Sequence, residues 1–229
     1  PLSWWTGMKM PLQLLVQGEN ISDYDVAIEG GTGVSVEKIN KADSPNYLFV
    51  DVKIAANAQP GTYYIVFSKD GQSFKYPYEI ASRREGSAER TSFTTADMIY
   101  LIMPDRFANG DPSNDSVEGM PDKADRSKPF GRHGGDIQGI IDHLDYISEL
   151  GATAIWCTPL IEDNLEKTTY HGYACTDYYH IDGRFGDNDL FKTYVEKAHE
   201  KDLKIIMDIV PNHAGSGHWW MADVPFKDW

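Results

Sequence analysis

Four groups of side chains in this sequence have the types and spacing to do chemistry. The run Asp208-Ile-Val-Pro-Asn-His213 sets a carboxylate inside an apolar stretch and a histidine just past it. A carboxylate buried there is costly unless it is paired or hydrogen-bonded, and the histidine falls where a reacting group would be met. A satisfied core aspartate and a surface histidine fit the same pattern. His171-Gly172-Tyr173 joins a ring nitrogen, an unobstructed backbone and a flat apolar ring with a polar tip. Sugars present flat C–H faces edged with hydroxyls, so the trio suits a sugar, although Tyr170, Tyr173, Tyr178 and Tyr179 could equally pack their own loop. Asn109, Asp111, Asn114 and Asp115 gather four oxygen-bearing side chains in one short segment, and Gly110 and Pro112 turn it. Hard cations such as calcium take six to eight oxygens at about 2.3–2.6 Å, yet ordinary turns use the same residue types. Asp136 stands before an amphipathic run, as an N-cap carboxylate does, a role compatible with touching a cation. The sequence has no HExxH motif, and His213 and His218 lack the spacing of zinc ligands on a helix.

The elements that must position these groups alternate in kind from residue 93 onward. Met98-Ile-Tyr-Leu-Ile-Met103 reads as a strand buried on both faces. Ile137, Ile140, Ile141, Leu144, Ile147 and Leu150 mark one face of a single helix, closed by Gly151. Residues 152–159 form the next strand. Leu190, Phe191, Tyr194, Val195 and Ala198 mark a second helix, capped by Asp187 or Asn188, and residues 203–211 give a third strand. Such alternation means parallel strands joined by right-handed crossovers. Ligands in parallel α/β folds sit beyond the carboxyl ends of the strands. The segments in that place are 104–115, 159–187 and 211–220, and most of the candidate residues lie in them. The middle segment is long and crowded with aromatic residues and histidines, which argues for function rather than disorder.

Residues 12–80 have a different rhythm and read as strands only. Val50, Val52 and Ile54 alternate with Asp51 and Lys53, and Tyr76, Tyr78 and Ile80 with Pro77 and Glu79. Asp70-Gly71 between two such runs is a two-residue hairpin signal. Six or seven short strands within about 80 residues predict an antiparallel sandwich of immunoglobulin type. Residues 81–92 are charged and aperiodic and read as a linker between this domain and the α/β part at 93–229. The net charge of −14 repels phosphate backbones and anionic lipid, so neither nucleic acid nor membrane is an expected partner. No apolar run reaches the ~20 residues of a membrane span. Cys157 and Cys175, the only cysteines, rule out a disulfide framework and a cysteine-rich zinc site.

Taken together these motifs resemble the α-amylase family, glycoside hydrolase family 13. Residues 208–213 are similar to its signature at the third barrel strand, 171–186 to its long loop after the second, and 102–115 and 133–159 to its first two βα units. Residues 3–21 resemble the N-terminal domain of the neopullulanase and cyclomaltodextrinase branch. The resemblance implies an immunoglobulin-like sandwich followed by the first three βα units of a (β/α)8 TIM barrel. It implies that Tyr173 stacks under the sugar at the cleavage subsite, that His171 and His213 bond its hydroxyls, and that Asp208 holds an arginine of the next strand. Within these residues Asp208 would then be buried and short of a partner. It implies a structural calcium held by Asn109, Asp111, Asn114, Asp115, Asp136 and the Gly134 carbonyl. The family's nucleophile and acid/base lie on later strands, and a whole barrel needs about 250 residues, so no catalytic residue is expected here. The expectation is therefore the N-terminal, inactive part of a retaining enzyme that cleaves α-1,4 bonds in pullulan, cyclodextrins or starch oligosaccharides. The alternatives are a non-catalytic glucan-binding or assembly module and a calcium-stabilised structural domain. The resemblance also admits a homodimer through the N-terminal domain and an extracytoplasmic place, with the cytoplasm left open.

Overall fold

The computed structural model describes residues 1–90 and 92–229; position 91 of the expected linker lies outside the described residues. Seven strands build the N-terminal unit: β1 (Ser3–Trp5), β2 (Leu12–Gln17), β3 (Asp25–Glu29), β4 (Val34–Lys41), β5 (Tyr47–Ile54), β6 (Gly61–Lys69) and β7 (Gln72–Ala81). They form two sheets, ordered β1-β7-β6-β3 and β2-β5-β4, antiparallel except for the β1–β7 pair. Period-two alternation sends Leu12, Leu14, Val50 and Val52 from one sheet and Ile65, Phe67, Tyr78 and Ile80 from the other into one shared core. The Asp70-Gly71 turn is as expected: both residues have positive φ, 51° and 81°, and pair Lys69 with Gln72. The span 12–80 is not strands alone, since Ile21–Asp23 is a short 3-10 turn. β4 has no clean alternation because its register slips between Val36 and Lys38.

The unit also takes in residues Asp223–Trp229. The Asp223 carboxylate accepts from Asn46 Nδ2 at 2.8 Å and Ser44 Oγ at 3.2 Å. Pro225 O accepts from the backbone of Asp43 and Ser44, and Phe49 stacks on Phe226 with ring centroids 5.6 Å apart.

The second unit, Ser92–Ala222, holds β8 (Ile99–Ile102), α1 (Ile137–Asp142), α2 (Leu144–Glu149), β9 (Ala154–Cys157), β10 (Ile161–Glu162), β11 (Asp177–Ile181), α3 (Asn188–His199) and β12 (Lys204–Met207). β12, β9 and β8 lie side by side and parallel, so that Ile102, Cys157 and Met207 end the sheet at one level. Tyr100, Ile102, Ile155, Cys157 and Ile205 point to one face and pack with Ile137, Ile140, Leu144, Ile147, Tyr194 and Ala198 of the helices. The opposite face carries exposed Ile99, Leu101 and Trp156. This corrects the expectation for the first strand: it is buried on one face, not two, because all three helices cover the same side.

The predicted single helix at 137–150 is two short ones. His143 has φ −114° and ψ 13°, its N–H bonds Ile140 O three residues back, and its Nδ1 lies 2.7 Å from Gly139 O. Leu150 is exposed rather than on the buried stripe. Gly151 closes the pair with φ 82°, and Asp187 caps α3 by accepting from Leu190 N at 2.7 Å. The long middle segment is not plain loop: β10 and β11 form an antiparallel pair within it.

Asp223→Ala should lower the stability of the N-terminal unit by about 1–3 kcal/mol, the usual cost of stranding hydrogen-bond partners of a charged group. A urea titration read by fluorescence checks this, and an unchanged midpoint would show that the Asp223 carboxylate contributes nothing to it.

Candidate functional site

The residues beyond β9 and β12 converge on Tyr173. Gly172 makes this possible. It has φ +74°, and a Cβ there would stand 2.1 Å from Pro159 O, so only glycine lets the loop turn back against the end of β9. Tyr173 N then donates to His171 Nδ1 at 3.0 Å, and the two rings lie 5.8 Å apart. His213 reaches over from beyond β12 to put Nε2 2.9 Å from Tyr173 O, which requires the proton on Nε2. Ala174 N donates to the buried Asp163 carboxylate at 3.2 Å, and Gly215 N to Cys175 O at 2.6 Å. The Tyr173 backbone is therefore fixed from both strand ends, while its ring stays 38% exposed.

The Tyr173 hydroxyl donates to Asp208 Oδ2 at 3.2 Å, and Trp156 Nε1 donates to the same oxygen at 3.2 Å. Two expectations for Asp208 are corrected here. It is half-buried, because β12 stops at Met207 and the carboxylate clears the sheet, and it has two donors rather than lacking partners. Burial, the Asp208 charge and the bond to it push the Tyr173 hydroxyl above its ordinary pKa, and burial holds the His171 imidazole below its own.

The oxygen-rich turn is assembled as well. Asn109 Nδ2 donates to Asp115 Oδ1 at 2.6 Å, and a Cβ on Gly134 would sit 2.4 Å from that same oxygen, so Asn109, Asp115 and Gly134 share one spot. The amide oxygens of Asn109 and Asn114 are buried with no hydrogen-bond partner. Asp111 accepts from Ser113, and Asp136 from the N–H groups of Gly110, Asp111 and Gly139 as it caps α1. Among the described residues no three His, Cys, Asp or Glu side chains converge as a metal cluster. The oxygens on offer are amides, carbonyl and single carboxylates, which fit a hard cation and not a transition metal.

Several positioning residues were not anticipated. Trp156 could have been found from strand parity, since it shares the helix-free face with Asp208. Tyr178, whose hydroxyl lies 2.9 Å from Val210 O and 2.7 Å from His213 O, was read only as a packing residue. Buried Asp105 accepts from the backbone of His133 and Gly134, and no spacing signal marks it.

The His171 geometry has a titration consequence. Its Nδ1 accepts a hydrogen bond only when unprotonated, and burial depresses its pKa, so the turn should persist below the usual imidazole value of 6.5 and open on further acidification. NMR titration of the His171 ring protons should give a midpoint under 6.5, and one above it would contradict the arrangement.

Residues 101–227 match the family described as alpha amylase, catalytic domain, and residues 1–84 match cyclomaltodextrinase, N-terminal. Neopullulanase 2 of Thermoactinomyces vulgaris is 42% identical over 152 residues, covering 60% of this chain and 25% of that protein. A cyclomaltodextrinase of a Bacillus species is 40% identical over 139 residues, with coverages of 58% and 24%. Among solved structures, an Anoxybacillus alpha-amylase superposes with a TM-score of 0.51 at 49% identity, covering 56% of this chain and 26% of that one. The chain spans about a quarter of the length of these relatives. With more than half of its residues matched to the catalytic domain and the N-terminal part matched to the cyclomaltodextrinase branch, the chain belongs to the alpha-amylase family.

Proposed function

We propose that these residues are the N-terminal part of a retaining hydrolase that cleaves α-1,4-glucosidic bonds in pullulan, cyclodextrins or starch oligosaccharides. The observation that carries the reading is the exposed Tyr173 ring, bonded through its hydroxyl to Asp208 and flanked by His171 and His213 at the carboxyl ends of two parallel strands. In this reading residues 1–80 are an immunoglobulin-like sandwich, 81–92 a linker, and 93–229 the first three βα units of a (β/α)8 barrel. The helix-free sheet face with Ile99, Leu101 and Trp156 supports a barrel interior, because a doubly wound sheet would carry helices on both sides.

Each residue then has a task. Tyr173 presents a flat apolar surface to a sugar ring, and the Asp208 carboxylate keeps that ring from turning. His171 and His213 edge the platform with imidazoles that face sugar hydroxyls. Such chemistry needs two carboxyls about 5–5.5 Å apart; we assign them to strands that follow these residues. Calcium would be held by Asn109, Asn114, Asp111, Asp115, Asp136 and the Gly134 carbonyl. It would supply no step of the reaction but would neutralise the carboxylates and pin the loop after β8 to the start of α1.

In the full-length protein Tyr173→Ala should reduce kcat on starch oligosaccharides by about ten- to two-hundred-fold while the melting temperature changes little. That range follows from roughly 1–3 kcal/mol for loss of an aromatic platform. A lowered melting temperature with normal kcat per folded molecule would make Tyr173 a packing residue. Glucan bound but never hydrolysed by the full-length protein would make it a binding module instead, and hydrolysis by residues 1–229 alone would overturn the placement of the carboxyls.

For the cation, excess chelator should lower the melting temperature of the full-length protein, and calcium should restore it by mass action. Asn109→Ala with Asn114→Ala should abolish that response, and a melting temperature indifferent to chelator would remove calcium from the proposal.

A further inference from the structure

A second aromatic ring of this unit is displayed in a way that packing does not explain. Phe130 is 69% exposed, at the rim of a cleft of about 720 Å³ lined also by Lys123, Lys128, Glu166, Lys167 and Thr168. Single exposed apolar side chains are common, but the turn that bears this ring is held firmly. Arg106 Nη2 donates to the carbonyls on either side of it, Pro129 O at 3.0 Å and Gly131 O at 2.8 Å. Asp125 N bonds Arg132 O, and Asp125 Oδ1 accepts from Ser127. The opposite wall is equally fixed. Thr168 has φ 61°, and the next residue, Thr169, is bound through its N–H and hydroxyl by Asp122 and through its hydroxyl by buried Arg132 at 3.1 Å. The cleft is thus built in advance, as ligand sites are.

The turn that bears Phe130 is linked to the Tyr173 platform through side-chain contacts. The Arg106 guanidinium that pins the Phe130 turn lies 4.3 Å from the Tyr170 ring centroid, Tyr170 lies 5.3 Å from His171, and His171 lies 5.8 Å from Tyr173. These contacts, edge-on between Tyr170 and His171 and tilted between His171 and Tyr173, run from the base of the Phe130 turn to the Tyr173 ring. The charges around the cleft are of mixed sign, with Lys123, Lys128 and Lys167 opposed by Asp122, Asp125 and Glu166. A balanced rim does not select an anion or a cation; it offers donors and acceptors to an uncharged, polyhydroxylated ligand.

We infer that the Phe130 cleft is an accessory site for an α-glucan chain, distant from the bond that is cut, with Phe130 stacking on a sugar ring and Lys123, Lys167, Glu166 and Thr168 bonding its hydroxyls. The inference rests on the glucan hydrolase reading above for its ligand, and on the cleft alone for its place. A polymer would engage both rings, whereas a short substrate would reach only the Tyr173 platform.

The test compares Phe130→Ala and Phe130→Trp with the unchanged full-length protein. Retardation by soluble starch in a native gel reports binding, and kcat/KM on soluble starch and on maltotriose reports use. Phe130→Ala should weaken retardation and lower kcat/KM on starch by about tenfold, the scale of one lost stacking contact, with maltotriose hydrolysis within about twofold of the unchanged protein. Phe130→Trp should retain both properties. Unaltered retardation and starch kinetics in Phe130→Ala would overturn the inference, and so would an equal loss on starch and maltotriose. Should the unchanged protein hydrolyse neither substrate, the proposed function fails, and starch retardation of the unchanged protein against Phe130→Ala still decides the fate of the cleft.

Discussion

Three strands that finish at one level impose the rest of the catalytic-type unit. Ile102, Cys157 and Met207 are in register, so every following segment leaves the sheet from the same edge. The loop after β9 must come back to the end of the sheet, and only a glycine at 172 lets it lie against the Pro159 carbonyl. The segment after β12 must run beside that loop, which is why His213 meets the Tyr173 carbonyl and Gly215 the Cys175 carbonyl. Side chains from distant parts of the sequence come together because the strands beneath them share a register and not because any one loop is sticky.

The long loops are fastened by buried charge as much as by apolar packing. Arg184 forms a two-point pair with Asp182 at 2.9 and 2.7 Å and donates to backbone carbonyls of Asp122 and Asp163. Arg132 lies beneath, over the Phe185 ring, with Asp105 3.8 Å away. Burying ions costs several kcal/mol each before their attraction repays it, so such a network is a weak source of stability. What it supplies is direction. An arginine with five donors in a fixed fork sets the relative position of several loops at once. Burial pushes the Asp163 carboxyl up to about 6, and the neighbouring Asp182 charge adds to this.

Much of this architecture is legible in the sequence. The hairpin at Asp70-Gly71, the glycine at 151, the Asp187 cap and the parallel order all follow from local rules of spacing and backbone freedom. The residues that meet at the site, Tyr173, His171, Asp208 and His213, were named from their chemistry and from a family likeness. The failures have a common cause, which is that periodicity reports a face and not what covers it. Leu101 and Trp156 sit in apolar runs like those of a strand buried on both sides, yet one face of their sheet has no helix. His143 breaks a helix whose apolar stripe continues through it, because a backbone kink leaves the spacing of isoleucines intact. Asp105 and Arg132 were invisible because a buried ion pair between distant segments leaves no repeat in the sequence.

The N-terminal unit includes seven residues, Asp223–Trp229, that follow the other unit in the sequence. Translation is vectorial, and some 140 residues separate the end of β7 from Asp223. At roughly 5–20 residues per second, the ribosome needs about seven to thirty seconds to make them. Through that interval the β2-β5-β4 sheet stands without the rings of Phe226 and Trp229 over Phe49. The sandwich therefore cannot be finished until the unit that follows β7 has been synthesised, and through that time the ring of Phe49 lacks its partners.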